Sequence, residues 1–115
     1  MVIKLLTHKG EYSEYTYYLE NGIETHHGLH KAWYKDGQLR FEWDNKDGLY
    51  HGLNRYWYEN GQLLYEYNYK DGELQGLWKQ WHEDGLLKKE DYYWEGIAYG
   101  SKEDYEESFI ANRDW

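Results

Sequence analysis

The chain has 115 residues, a formal net charge of −9 and no cysteine, so composition excludes disulfide staples and thiolate metal sites. Aromatic residues make up 21% of it, with fifteen Tyr and seven Trp, which separates it from disordered chains of similar polarity. The excess of acid disfavours nucleic-acid phosphates and anionic lipid, both of which need clustered Lys and Arg, and favours a basic partner.

The opening MVIKLLTHKGEYSEY holds too short an apolar stretch for a signal peptide, and no later segment approaches the roughly 20 apolar residues of a membrane span. A cytoplasmic protein is expected. Residues 2–8 and 11–19 read as a hairpin around Lys9-Gly10, with Tyr15 and Tyr17 in the phase that Phe41 and Trp43 take later. Between Asn21-Gly22 and Gly28 stand two more residues than in later copies, and this insertion, IETHHG, predicts a bulge or longer loop. The adjoining HHGLH brings together His26, His27 and His30, which is loose spacing for a zinc ligand set. In an extended segment His27 points away from the other two. A solvated irregular loop is the preferred reading, with no metal and no cofactor.

From Gly28 the chain writes one line three times at intervals of 24 residues: GLHKAWYKDGQL from Gly28, GLNRYWYENGQL from Gly52 and GLWKQWHEDGLL from Gly76. Asp36-Gly37, Asn60-Gly61 and Asp84-Gly85 sit between β-prone segments and predict type I′ hairpin turns with positive φ at both central residues. Two-residue loops there set Lys31 opposite Glu42, Arg55 opposite Glu66 and Lys79 opposite Glu90, so opposite charges meet in every copy. A one-residue slip would put each pair on opposite faces. Asp47-Gly48, Asp71-Gly72 and Glu95-Gly96 form the turns between copies. The same rule places Trp43 opposite Gly52 and Tyr67 opposite Gly76, marking these glycines as curvature sites.

Alternation with period two sorts the faces. Leu53, Arg55, Trp57, Leu64 and Glu66 share one, which repeats almost unchanged, while Tyr56, Tyr58, Leu63, Tyr65 and Tyr67 share the other, where the equivalents change to Ala32 and Gln80 or to Lys89 and Asp91. The varied face supplies the candidate binding residues Tyr34, Trp43, Tyr56, Tyr58, Tyr65, Tyr67 and Trp78, because Tyr and Trp dominate binding hot spots. The competing reading is that rings in a single-layer sheet pack on one another for want of aliphatic core.

After Gly100 the strand pattern stops. Ser101 with Asp104 has the form of a capping box, Tyr105 with Phe109 is an i, i+4 pair, and a short helix from about Lys102 to Asn112 is expected to cap the last strand. The acidic run Glu103, Asp104, Glu106, Glu107 is a contact surface in the competing reading. The expected organisation is one repeat domain over 1–115, with an irregular first unit at 1–27, three full repeats at 28–99 and a cap at 100–115.

No catalytic constellation emerges: Ser13, Ser101 and Ser108 lack a histidine motif or strained elbow, and the recurring glycines belong to hairpins rather than to a phosphate loop. The three copies resemble the MORN-repeat proteins, in particular a bacterial variant whose unit runs glycine, aromatic strand, asparagine-glycine turn, leucine-led strand, glycine; the resemblance covers about residues 22–100. It implies an all-β protein, an elongated, twisted, curved single-layer antiparallel meander of hairpins. It also implies, through the antitoxin-like label of bacterial members, an interaction module. The expected function is a non-enzymatic acidic inhibitor of a basic protein, with no direct nucleic-acid or membrane partner. The alternatives are a receptor or sequestering protein for a small planar ligand such as a nucleotide, and a scaffold joining copies edge to edge.

Overall fold

The computed structural model describes residues 4–101, 103–104 and 106–107. Runs rich in Tyr, Trp and Leu, punctuated by Asx-Gly pairs, fold into the strands β1 (Leu6–Lys9), β2 (Ser13–Glu20), β3 (Ile23–Trp33), β4 (Leu39–Lys46), β5 (Leu49–Tyr50), β6 (Gly52–Trp57), β7 (Leu63–Lys70), β8 (Glu73–Leu74), β9 (Gly76–Trp81), β10 (Leu87–Trp94) and β11 (Ile97–Ala98). All pair antiparallel in one open sheet, in the order β1-β2-β3-β4-β6-β7-β9-β10-β11, with β5 and β8 continuing the edges of β4 and β7. The body measures 53 × 44 × 16 Å, so it is one layer thick and has no interior in the usual sense. Only Tyr18, Ala32, Asn45 and Asn54 are buried among the described residues.

The two families of turn are built differently, which corrects the type I′ expectation at Asp36-Gly37, Asn60-Gly61 and Asp84-Gly85. In these turns only the glycine has positive φ: 92°, 88° and 91°. Gly61 N–H donates to Tyr58 O at 3.0 Å and Tyr58 N–H to Gln62 O at 2.8 Å, the signature of a three-residue loop closed by a left-handed glycine. The Asx residue serves another purpose. Its Oδ1 accepts the N–H two residues on, at 2.9 Å from Gln38, Gln62 and Leu86, a local bond that fixes the loop without left-handed backbone at the Asx itself. Type I′ geometry appears at the opposite edge, where Asn21, Asp47, Asp71 and Glu95 have φ of 50–53° and each is followed by a positive-φ glycine.

The three-residue loop shifts the register by one, pairing Trp33 with Leu39, Trp57 with Leu63 and Trp81 with Leu87; Trp57 therefore faces Leu63 rather than Leu64. One extra residue in the returning strand then cancels the shift. As a result Lys31 meets Glu42, Arg55 meets Glu66 and Lys79 meets Glu90, as the sequence predicts, although through a different loop.

A second irregularity overturns the pairing of Trp43 with Gly52 and of Tyr67 with Gly76. His51 and Gly52 bulge between the pairs Asn45–Tyr50 and Glu42–Arg55, and Gly52 has φ 96°. A side-chain carbon on Gly52 would meet Asp44, and one on Gly76 would meet Asn68. On the β9 side Tyr65 pairs with Gln80 and Glu66 with Lys79, which carries Tyr67 past Gly76, and its ring stacks on Trp78. The glycines still bend the sheet, as bulges rather than as gaps beneath rings. The predicted bulge at IETHHG is present: two extra β3 residues sit between the pairs Tyr15–His30 and Tyr17–His26.

The register also joins the three predicted charge pairs into one line. Lys9, Glu14, Lys31, Glu42, Arg55, Glu66, Lys79 and Glu90 are consecutive cross-strand partners from β1 to β10, alternating in sign. Arg55 Nε lies 2.9 Å from Glu66, Lys31 Nζ 3.4 Å from Glu42, and Lys79 Nζ 4.0 Å from Glu90. Each partly exposed pair is worth about a few tenths of a kcal/mol, and each inner member has a partner on both sides.

At the end of the chain, residues 103–104 and 106–107 are helical, and Asp104 N–H donates to Ser101 Oγ at 3.0 Å, the cap read from the sequence. The rest of the expected helix over 102–112, with its Tyr105–Phe109 pair and its contact with the last strand, lies outside the described residues.

A candidate binding face of stacked rings

The face opposite the charge ladder carries a connected run of rings. His8 stacks on Tyr15 at 4.9 Å, Tyr15 touches His30 at 5.3 Å, His30 meets Trp43 edge-on at 5.1 Å, and Trp43 lies 5.8 Å from Tyr56. Tyr56 then reaches Tyr67 at 6.4 Å, and Tyr67 stacks on Trp78 at 5.5 Å with only 7° between the planes. Phe41 and Tyr65 fill the adjoining row, and the Lys89 ammonium sits 5.3 Å over Trp78. Tilted and edge-on aromatic contacts each add about 0.5–1.5 kcal/mol beyond burial, so this network stands in for the missing core.

Five of the seven candidate binding residues, Trp43, Tyr56, Tyr65, Tyr67 and Trp78, belong to this network. Tyr34 and Tyr58 do not join it. Their hydroxyls donate to Trp57 O at 2.7 Å and Trp81 O at 2.9 Å, tying each loop to the next copy, and Asn60 Nδ2 adds a bond to Glu83 O at 2.9 Å. These two tyrosines hold the spacing between copies. Alternation alone could not show this, because both residues stand just beyond the last ladder pair, where the three-residue loop begins.

Burial governs the electrostatics. Desolvation raises Tyr56 and Tyr69, and pushes Tyr67 up to about 12, so these hydroxyls stay neutral across the ordinary pH range. Burial, with His26 nearby, lowers His30, which favours a neutral imidazole. Trp43 Nε1 and Asn54 Oδ1 are buried without a hydrogen-bond partner among the described residues. Tyr56 is near enough to feel the Trp43 N–H but not at hydrogen-bonding geometry.

HHGLH is part of strand β3 rather than the solvated loop expected, because the bulge keeps it paired with β2, and its histidines separate as an extended strand requires. His26 and His30 join Tyr15 on the ring face, while His27 accepts the Asp47 N–H through Nδ1 at 3.2 Å. His51 and Gln75 repeat that bond to Asp71 and Glu95, so position 27 and its equivalents dock one turn on the next. No group of three His, Asp or Glu side chains among the described residues is arranged to hold a metal. Residues that sequence reading left out of the site are Phe41, which stacks on Trp43 at 4.2 Å, and the pair His26 and His30, whose signal was the insertion itself.

A one-layer hairpin repeat with one geometric face and one variable ring face is a binding scaffold. The MORN repeat variant family model matches residues 27–44, 50–71 and 74–95, more than half of the chain, and the chain belongs to that family. MORN repeats generally serve protein or membrane-lipid binding. No curated protein and no solved structure matches the chain. No helix among the described residues is long and apolar enough to cross a membrane.

Proposed function

We propose that the protein is a non-enzymatic, cytoplasmic binding module that engages a basic protein through its ring face and blocks it, as an antitoxin or other inhibitor would. The observation that carries the reading is the connected ring surface from Tyr15 to Trp78, on the face where the copies differ, in a chain of net charge −9. Tyr and Trp give large contact area with little entropy to lose, and partner choice resides where repeats vary. The charge supports a basic protein over anionic lipid, the other ligand class open to this family.

The test is calorimetric titration of a partner recovered on the immobilised protein, at low and high salt, using the parent and the separate variants Tyr56→Ala and Trp78→Ala. Loss of a hot-spot ring is expected to weaken binding by about 2 kcal/mol. Association is expected to slow as salt rises, since steering between exposed charges is screened over about 10 Å at 0.1 M. Tight, salt-insensitive binding of a nucleotide, lost in the same variants, would overturn this reading in favour of sequestration of a planar ligand.

A further inference from the structure

The first full repeat lacks a ring that the next one has. In the middle repeat Tyr50 and Tyr69 lie 5.1 Å apart and fill the space between β5 and β7. The equivalent positions 24 residues earlier are His26 and Asn45, and the buried Asn45 carries no ring where the next copy has Tyr69. A cleft of about 600 Å³ opens there, and Glu24, His26, His30, Trp43, Asp47 and Tyr50 line it together with Asn45.

The lining is aromatic and acidic, with no Lys or Arg in it. Glu24 accepts a hydrogen bond from the Tyr15 hydroxyl at 3.1 Å on the ring face and keeps further acceptor sites, whereas Asp47, at the rim, turns Oδ1 to the Tyr18 hydroxyl at 3.1 Å on the opposite side. His27 Nδ1 approaches Asp47 Oδ1 at 3.4 Å, but the same nitrogen already accepts the Asp47 N–H.

We propose that this cleft binds a guanidinium group, presented either by an arginine side chain of a basic partner or by a free guanidinium compound. A guanidinium is planar and weakly hydrated, so it lies on ring faces while its N–H fork reaches carboxylates; an ammonium offers only a compact, strongly hydrated point charge. Phosphate-bearing ligands meet the Glu24 carboxylate and no Lys or Arg. The arginine-bearing partner rests on the protein-binding reading above, whereas the guanidinium site does not.

Arginine methyl ester, butylammonium and adenosine monophosphate, titrated separately by calorimetry into the full chain, test this. The ester should bind about tenfold more tightly than butylammonium, and the nucleotide should not bind. Glu24→Gln removes charge without changing shape and should weaken the ester about tenfold with the melting temperature unchanged, whereas Asp47→Asn, which keeps the left-handed φ of 50° and whose carboxylate turns to the other side, should change it less than about twofold. Asn45→Tyr, which copies Tyr69, should abolish binding by filling the cleft. Tighter binding of an arginine-containing peptide than of the ester assigns the group to a partner side chain; equal or weaker binding assigns it to a free compound. No binding of the ester at millimolar concentration, equal binding of butylammonium, or binding indifferent to Glu24→Gln would each overturn the proposal. If a basic protein still binds the ring face after such a result, the guanidinium site alone has failed.

Discussion

The two faces of this sheet obey different rules, and the difference separates framework from recognition. On the ladder face each copy repeats the same charge signs in the same register: Lys31, Arg55 and Lys79 against Glu42, Glu66 and Glu90. On the other face Ala32, Tyr56 and Gln80 occupy one equivalent position, and Phe41, Tyr65 and Lys89 another. A meander one layer thick must keep its register without a core to enforce it. A line of alternating charges enforces it from one side and leaves the opposite side free to change.

The largest expected effect comes from breaking the frame that both faces share. Gly61 closes its loop at φ 88°, where a β-branched side chain is strained, and an added carbon would stand 3.3 Å from Gln38 Oε1. Gly61→Val should cost about 2 kcal/mol in thermal unfolding. Stability equal to the parent would mean that the loop does not need its left-handed residue, and the register argument for both faces would lose its anchor.

A smaller effect isolates the ladder face. Arg55→Glu places acid between Glu42 and Glu66, turning two attractive contacts into repulsive ones in the middle of the line. The expected loss is about 1 kcal/mol at low salt, shrinking as salt rises because these side chains are partly exposed. A loss that ignored salt would point to packing of the arginine stem rather than to charge.

Much of this was legible in the sequence, for a definite reason. A period of 24 without insertion fixes which residues share a geometry, and the Asx-Gly pairs fix where the chain reverses. The loop type was not legible. Asp-Gly and Asn-Gly serve equally a type I′ turn, in which the Asx adopts left-handed backbone, and a three-residue loop, in which its side chain caps the N–H two residues on. Asp47-Gly48 takes the first form and Asp36-Gly37 the second, and nothing in the dipeptides distinguishes them. The charge pairs came out right because the longer loop and the bulge after it cancel. The roles of Tyr34 and Tyr58 were hidden for the same reason, since they stand where the loop departs from strand alternation. Asn45 in place of Tyr69 and the insertion were both visible, but not that the strands would leave a cleft between them.

The smallest effect, absent at neutral pH, tests how firmly the ring face is packed. The Tyr67 pKa is pushed up to about 12 chiefly by burial against its neighbours, while an exposed tyrosine ionises near 10. Its folded pKa is thus raised above the unfolded one, so the contribution to stability is fully present below pH 10 and is lost as pH rises through about 12. Spectrophotometric titration of tyrosinate should show a late-ionising group that disappears in Tyr67→Phe. The variant should also unfold less steeply with pH across that window, because phenylalanine has no proton to release in the unfolded chain. If Tyr67→Phe instead removed an ionisation near pH 10, the Tyr67 hydroxyl would be hydrated, and the ring face would be a looser surface than its contacts with Trp78 and Tyr56 describe.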